Sequence, residues 1–308
     1  MKFLIDRLNE AIVSRKAPIV VGLDPVAESI PAVYFAGYDA TCEGKAQVIF
    51  DFNTDVIDAV QGIVPAVKPQ IAFYELYGSA GIACFERTVQ YAKAKGLIVV
   101  TDGKRNDIGN TAAAYAKAHL GEASPLAVDF LTVSPFLGEE SLAPFIRVCK
   151  EENKGIFILV RTSNAGNRMV QDARGPGGDT VSEVLARYIS GQADTFLGET
   201  GYSSIGAVVG ATYPREAAAL RKIMKTSLFL VPGYGAQGGG AEDAVPCFHP
   251  DGLGAIVNSS RGILYAYAAE YGEGCSKGQY RDSVVKAAKS MQTEIYEALR
   301  RNYPEMVY

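Results

Sequence analysis

Residues 227–240 read Ser-Leu-Phe-Leu-Val-Pro-Gly-Tyr-Gly-Ala-Gln-Gly-Gly-Gly, a short apolar run that passes directly into a glycine-rich loop. Runs of the same kind recur along the chain at residues 19–24 (IVVGLD), 63–68 (IVPAVK), 97–102 (LIVVTD), 127–133 (AVDFLTV), 155–161 (GIFILVR), 205–211 (IGAVVGA) and 254–259 (GAIVNS). They are continuous rather than alternating, which is how parallel strands covered on both faces read. Helical patterns fall between them, at residues 44–60, 78–95, 111–120, 180–191 and 214–224, with a last one at 276–301. An open doubly wound sheet would carry its glycine-rich loop after the first strand. Here the first strand ends Gly22-Leu23-Asp24-Pro25 with no GxGxxG, and the glycine-rich loop follows the seventh. The order therefore predicts an α/β fold of the (β/α)8 type, a TIM barrel, as one domain over residues 1–308.

Two additions to the barrel are expected. Residues 1–16 place Leu4, Ile5, Leu8, Ile12 and Val13 near helical spacing with charges between them, an amphipathic N-terminal helix. No apolar run of about 7–15 residues follows, so it does not read as a signal peptide. The longest connection, residues 162–204 after strand five, contains RGPGGD and a helical stretch and reads as a lid or insertion.

Composition narrows the function. Of 308 residues 48% are hydrophobic, ample for a large core, and the formal net charge is −4. That balance argues against a nucleic-acid partner, which would need a basic patch or stripe. No window approaches the roughly 20 apolar residues of a membrane span. The five cysteines, Cys42, Cys84, Cys149, Cys247 and Cys275, form no CxxC pair. This fits a reducing compartment better than a disulfide scaffold or a zinc site, and the chain reads as cytoplasmic. The two histidines, His119 and His249, lie far apart in sequence and read as structural or solvated.

Barrel enzymes work at the C-terminal ends of their strands. Those ends carry Asp24, Lys68, the run Asp102-Gly103-Lys104-Arg105-Asn106-Asp107, the run Arg161-Thr162-Ser163-Asn164, the loop at 232–240 and Ser259-Ser260-Arg261-Gly262. Side chains two apart on a strand share a face, so Asp102 and Lys104 are both expected at the barrel mouth. A lysine among carboxylates is an ammonium, a proton donor rather than a Schiff-base nucleophile. A surface ion-pair cluster with Asp107 capping the next helix would also explain DxKxxD alone. Asp24 and Lys68 at two other strand ends favour a site. Glycines let backbone N–H groups approach an anion and an arginine can fork two bonds to it, so the loop after strand seven and Arg261 together read as a phosphate grip.

These residues resemble the orotidine 5′-phosphate decarboxylase family. Residues 102–111, DGKRNDIGNT, are similar to its DxKxxDI signature, in the version of the longer-chain bacterial branch. GLDP at 22–25, VKPQ at 67–70, RTSN at 161–164, PGYGAQGG at 232–239 and SSRGI at 259–263 follow in the family's order. Asn106 departs from the usual Gly, and Ala165 from the usual Pro. The resemblance implies a homodimeric (β/α)8 enzyme without cofactor or metal that converts orotidine 5′-phosphate to UMP. It further implies that Lys104 protonates C6 and that Asp102 faces the substrate carboxylate. Lys68 and Asp107, the latter from the other subunit, would bind ribose hydroxyls and complete the charged array. Asp24 would bind the ribose, Thr111 would contact the ribose side, and Thr162 or Ser163 would meet the pyrimidine edge. Pro232, Gln237, Ser260 and Arg261 would border the base and phosphate, with Gln237, Arg261 and loop backbone holding the phosphate.

Two other readings share some of these features. A related sugar-phosphate lyase, such as a hexulose-phosphate synthase, has a DxKxxD-type motif but uses magnesium with further carboxylates. Here Lys68 stands where such a ligand is wanted. A non-enzymatic phosphate-ligand-binding barrel would leave the charged array idle.

Overall fold

The computed structural model describes residues 2–235 and 237–308; Met1 of the expected N-terminal helix and Ala236 of the glycine-rich loop lie outside the described residues. Eight strands, β1 (Ile19–Leu23), β2 (Ala66–Pro69), β3 (Ile98–Arg105), β4 (Phe130–Val133), β5 (Gly155–Arg161), β6 (Ser203–Val209), β7 (Ser227–Val231) and β8 (Ala255–Ser259), close in sequence order into a parallel barrel. β8 returns to β1 with Val20 opposite Asn258. The strands are almost wholly buried, which accounts for their continuous apolar runs.

The expected helices form, as Cys42–Val60, Gly78–Ala94, Gly109–Leu120, Val181–Ala193, Pro214–Ile223 and Lys277–Asn302. Besides helices of a single turn, one helix falls outside the expected ranges: Glu139–Glu152, between β4 and β5, with Pro144 inside it. Pro144 is the sixth residue of this helix, past its first turn, so it removes one i→i−4 hydrogen bond, the one residue 144 would otherwise make to Glu140. Here its presence masks an otherwise regular apolar face of Leu142, Phe145, Ile146, Val148 and Cys149.

The helix Leu4–Arg15 buries Leu4, Ile5, Leu8 and Ile12. Asp6 on it accepts the N–H groups of Glu199 and Thr200, both at 2.9 Å, just ahead of β6. It is therefore tied across the end of the barrel where the strands begin. Inside the barrel Phe130 stacks on Phe157 with centroids 5.0 Å apart. Gly155 makes room for them, since a Cβ there would lie 2.2 Å from the Phe130 ring. The connection after β5 is largely structured: it holds a helical turn, Arg168–Gln171, before the helix Val181–Ala193. Among the described residues no helix is long and apolar enough to cross a membrane. Their five cysteines are free thiols, four of them buried.

Candidate active site

A cavity of about 590 Å³ opens at the C-terminal ends of the strands. Its floor is apolar on one side, from Leu159, Val208 and Leu230, with Asn258 of β8 as the polar member. The charged wall comes from β1, β2 and β3. The Lys68 ammonium lies 2.9 Å from Asp102 Oδ2 and 3.9 Å from Asp24 Oδ1. Lys104 reaches Asp102 Oδ1 at 2.5 Å. Burial deepens along the array: the Lys68 side chain is 5% exposed and that of Lys104 48%. Both lysines line the cavity, Lys104 as the more exposed ammonium and Lys68 as the nearly buried one.

The electrostatics follow from that packing. Burial alone would push the Asp102 carboxyl up, but Lys68 and Lys104 outweigh it and hold it well below the usual carboxylate range. Burial alone would pull Lys68 down, but Asp102 and Asp24 outweigh it and leave it above the ordinary lysine value. The result is a fixed row of alternating charges.

The two-residue alternation of a strand is not what brings Asp102 and Lys104 together. β3 shifts register against β4 between Thr101 and Arg105. Lys104 itself takes φ 44°, a left-handed conformation that costs an ordinary side chain on the order of 1–2 kcal/mol. Thr132 of β4 holds this turn: its hydroxyl accepts the N–H groups of Gly103 and Lys104 at 3.0 and 2.9 Å and donates to Asp102 Oδ1 at 3.0 Å. Backbone strain of this sort persists where the surroundings over-determine it.

On the opposite wall stand Gln237, Ser260 and Arg261. The loop between them and β7 is closed largely on itself. The N–H groups of Gly235, Gly238 and Gly239 bond within the loop, and that of Gly240 donates to Asp243. Tyr234 ties the loop to Glu294 of the last helix at 2.5 Å. These four N–H groups are therefore engaged within the chain. Among the described residues the side chains of Gln237 and Arg261 have no intrachain hydrogen bond or ion pair, and both face the cavity.

A profile of the orotidine 5′-phosphate decarboxylase/HUMPS family matches residues 18–271. The chain belongs to that family. Among curated members of the decarboxylase family, that of Rhodopirellula baltica is 43% identical, aligned over 94% of this chain and 97% of its own. The Clostridium tetani orotidine 5′-phosphate decarboxylase is 40% identical over 93% of this chain and 99% of its own. The solved Leishmania donovani OMP decarboxylase superposes with a TM-score of 0.75 at 30% identity, covering 96% of this chain and 99% of that one.

The cavity of this decarboxylase-family chain gathers Asp24, Lys68, Asp102, Lys104, Thr162, Ser163, Pro232, Gln237, Ser260 and Arg261, as the motifs led one to expect. Asp107 and Thr111 are not among the residues lining it. Asp107 does not cap the next helix either. The cap position is Ile108, without a side-chain bond, and among the described residues Asp107 accepts only the N–H of Ile108, at 2.8 Å. Two polar lining residues carry no signal in the sequence: Thr132, inside an apolar strand run, and Gln171, deep in the long connection. Asn258 heads the NSSRG run at the end of strand eight. Tyr265 acts from outside, donating to the Asp24 carbonyl at 2.9 Å and accepting the Val26 N–H at 2.8 Å. His119 and His249 stand apart from the cavity, His119 being buried at the end of Gly109–Leu120.

Proposed function

We propose that this protein is a carboxy-lyase of pyrimidine biosynthesis that decarboxylates orotidine 5′-phosphate to UMP without metal or cofactor, with Lys104 delivering the proton to C6. The observation that carries this reading is the row Asp24–Lys68–Asp102–Lys104 facing Arg261 and Gln237 across one cavity. Loss of carbon dioxide from the substrate leaves an electron pair on C6 in the ring plane, with no conjugated sink. An ammonium beside C6 stabilises that charge as it develops and then supplies the proton.

Asp102 beside the substrate carboxylate adds repulsion that vanishes as carbon dioxide leaves. At a separation of ~4 Å and an effective dielectric near 20 this amounts to about 4 kcal/mol at most, roughly a thousandfold in rate. Two ammonium groups and a hydroxyl already engage the Asp102 carboxylate, which reduces the repulsion further. Enzymes commonly lower barriers by about 8–23 kcal/mol. Stabilisation by Lys104, and binding energy from the phosphate end realised in the transition state, carry the larger share.

Asp24 and Lys68 bind the ribose, and Arg261 and Gln237 the phosphate. Ser163 meets the pyrimidine edge, because the Thr162 hydroxyl already bonds Asn164 and Gln171. Asp107 and Thr111 serve the site of a second copy in a homodimer. Supporting that role, the loops after β2, β3 and β4 leave Leu76, Ile108, Phe136 and Leu137 exposed on the same side of the barrel, Leu76 at 73% and Phe136 at 77%. An apolar surface of this kind marks an interface. Free thiols and the absence of a membrane-crossing helix among the described residues accord with a cytoplasmic setting.

A magnesium-dependent sugar-phosphate lyase is the second reading within the family. The place a divalent cation would take between Asp24 and Asp102 is filled by the Lys68 ammonium, so this donor set does not fit one. An absorbance assay for loss of orotidine 5′-phosphate, run with EDTA, tests the proposal. Turnover that survives EDTA and disappears in Lys104→Ala supports it. No turnover, or turnover abolished by EDTA, overturns it.

A further inference from the structure

The connection after β5 does more than border the cavity. Thr162, the first residue beyond β5, has its polar groups held by side chains of that connection. Its N–H donates to Gln171 Oε1 at 3.0 Å and its carbonyl accepts from Asn167 Nδ2. Its hydroxyl donates to Asn164 Oδ1 at 2.7 Å and accepts from Gln171 Nε2 at 2.9 Å. One carboxamide, that of Gln171, grips both the backbone and the side chain of Thr162. Gln171 also lines the cavity.

Ser163 follows directly, in a slot without slack. A Cβ at Gly210 would lie 3.0 Å from Ser163 Cα, and a Cβ at Gly233 would lie 3.1 Å from Ser163 Cβ. The Ser163 carbonyl accepts the Thr212 hydroxyl at 3.2 Å. Backbone after β6 and β7 thus walls Ser163 on two sides, and the third constraint comes through Thr162 from Gln171. Among the described residues neither the N–H nor the hydroxyl of Ser163 has a hydrogen-bond partner within the chain. Both are left for a ligand.

We propose that Gln171 is a positioning residue for base recognition: by gripping Thr162 it sets the Ser163 N–H and hydroxyl against the pyrimidine edge and gives the site its preference for a uracil-type over a cytosine-type ring. The inference rests on the function proposed above. At the edge where the two rings differ, uracil offers a carbonyl and an N–H where cytosine offers an amino group and a bare nitrogen. A backbone N–H can only donate, so held in place it selects the carbonyl. Hydrogen bonds weaken steeply with misalignment, so a Ser163 that swings loses the selection before it loses the ligand.

The test compares wild type with Gln171→Ala and Gln171→Glu, using UMP, CMP and ribose 5-phosphate as competitive inhibitors of orotidine 5′-phosphate decarboxylation. In Gln171→Ala the preference for UMP over CMP should fall about tenfold, the scale of one net hydrogen bond, while ribose 5-phosphate inhibition changes by less than about twofold. Gln171→Glu keeps an acceptor for the Thr162 N–H and should recover part of the preference. An unchanged preference in Gln171→Ala, or an equal loss for UMP and ribose 5-phosphate, overturns the inference. Should that variant fail to fold, Thr162→Val removes the hydroxyl end of the grip, and an unchanged preference there overturns it equally. Wild-type protein that does not decarboxylate would instead overturn the functional reading beneath it.

Discussion

The hydroxyl of Thr132 and the carboxylate of Asp102 meet at 3.0 Å across the seam between β4 and β3. The same hydroxyl takes the N–H groups of Gly103 and Lys104, so one buried side chain sets both the carboxylate and the strained turn that aims the lysine. Thr132→Val keeps the shape and removes these bonds. A hydrogen bond to a charged group contributes about 1.5–3 kcal/mol, so turnover should fall roughly ten- to a hundredfold. UMP affinity, which draws on the phosphate end, should change by less than about threefold. Thr132→Ser should restore most of the turnover. Steady-state kinetics with UMP inhibition would reveal it; a kcat equal to wild type would show that Thr132 only fills space.

His119 should make the fold acid-sensitive. It is 3% exposed, and burial with the nearby Arg105 pushes its pKa down to about 4. A group depressed in the folded state contributes stability above its unfolded value, near 6.5, and loses it as pH falls towards the folded value. Between neutrality and pH 5 the loss should be about 2 kcal/mol. The Asp102–Lys68 pair behaves differently. Asp102 is lowered, so its contribution is complete above the ordinary carboxylate value; Lys68 is raised, so its own is lost only as pH rises beyond the ordinary lysine value. Urea unfolding of wild type and His119→Gln at pH 7 and pH 5 would compare the two slopes. Equal losses on acidification would acquit His119.

Among the described residues Arg221 is a buried cation with no carboxylate within ion-pair distance. Its guanidinium bonds the carbonyls of Met224, Ser227, Cys247 and Gly254 at 2.7–3.0 Å and lies 3.5 Å from the Phe229 ring centroid. Ser227 and Gly254 stand where β7 and β8 begin, at the end of the barrel away from the cavity. Arg221→Met would leave those buried carbonyls unpaired, at a cost of about 1–3 kcal/mol for each that finds no other partner. The denaturation midpoint should drop sharply, with turnover per folded molecule preserved at low temperature. A midpoint within error of wild type would mean that water replaces the guanidinium.

How much of this could be read in advance depends on where the signal sits. Chemistry at strand ends was legible, because an aspartate or lysine closing a run such as IVVGLD or IVPAVK is conspicuous. The barrel was legible for the same reason, from continuous runs and from the place of the glycine-rich loop. Thr132 was not, since a lone polar residue inside an apolar strand gives no sign of which face it takes. Gln171 was hidden because its contact with Thr162 depends on how an irregular segment turns back. The left-handed turn at Lys104 was also invisible: strand alternation put Asp102 and Lys104 on one face for the wrong reason, and the register shift against β4 is what unites them. The helix Glu139–Glu152 was obscured by Pro144.

The last prediction concerns Asp107. Among the described residues its carboxylate bonds only the adjacent N–H of Ile108, and it stands outside the cavity of its own chain beside exposed Ile108. If it serves a partner's site, each working site needs Lys104 from one chain and Asp107 from the other. Asp107→Ala and Lys104→Ala homodimers should each be nearly inactive. Two-fold symmetry then gathers both defects of a mixed dimer into one site and leaves the other intact. Random re-pairing of equal amounts makes about half the dimers mixed, each with one good site, so about a quarter of wild-type activity should return. Subunit exchange would be verified with a tagged chain before assay. Mixtures that exchange fully yet stay inactive would place Asp107 in its own chain's site, where a closure that carries the segment after β3 over the cavity would have to bring it.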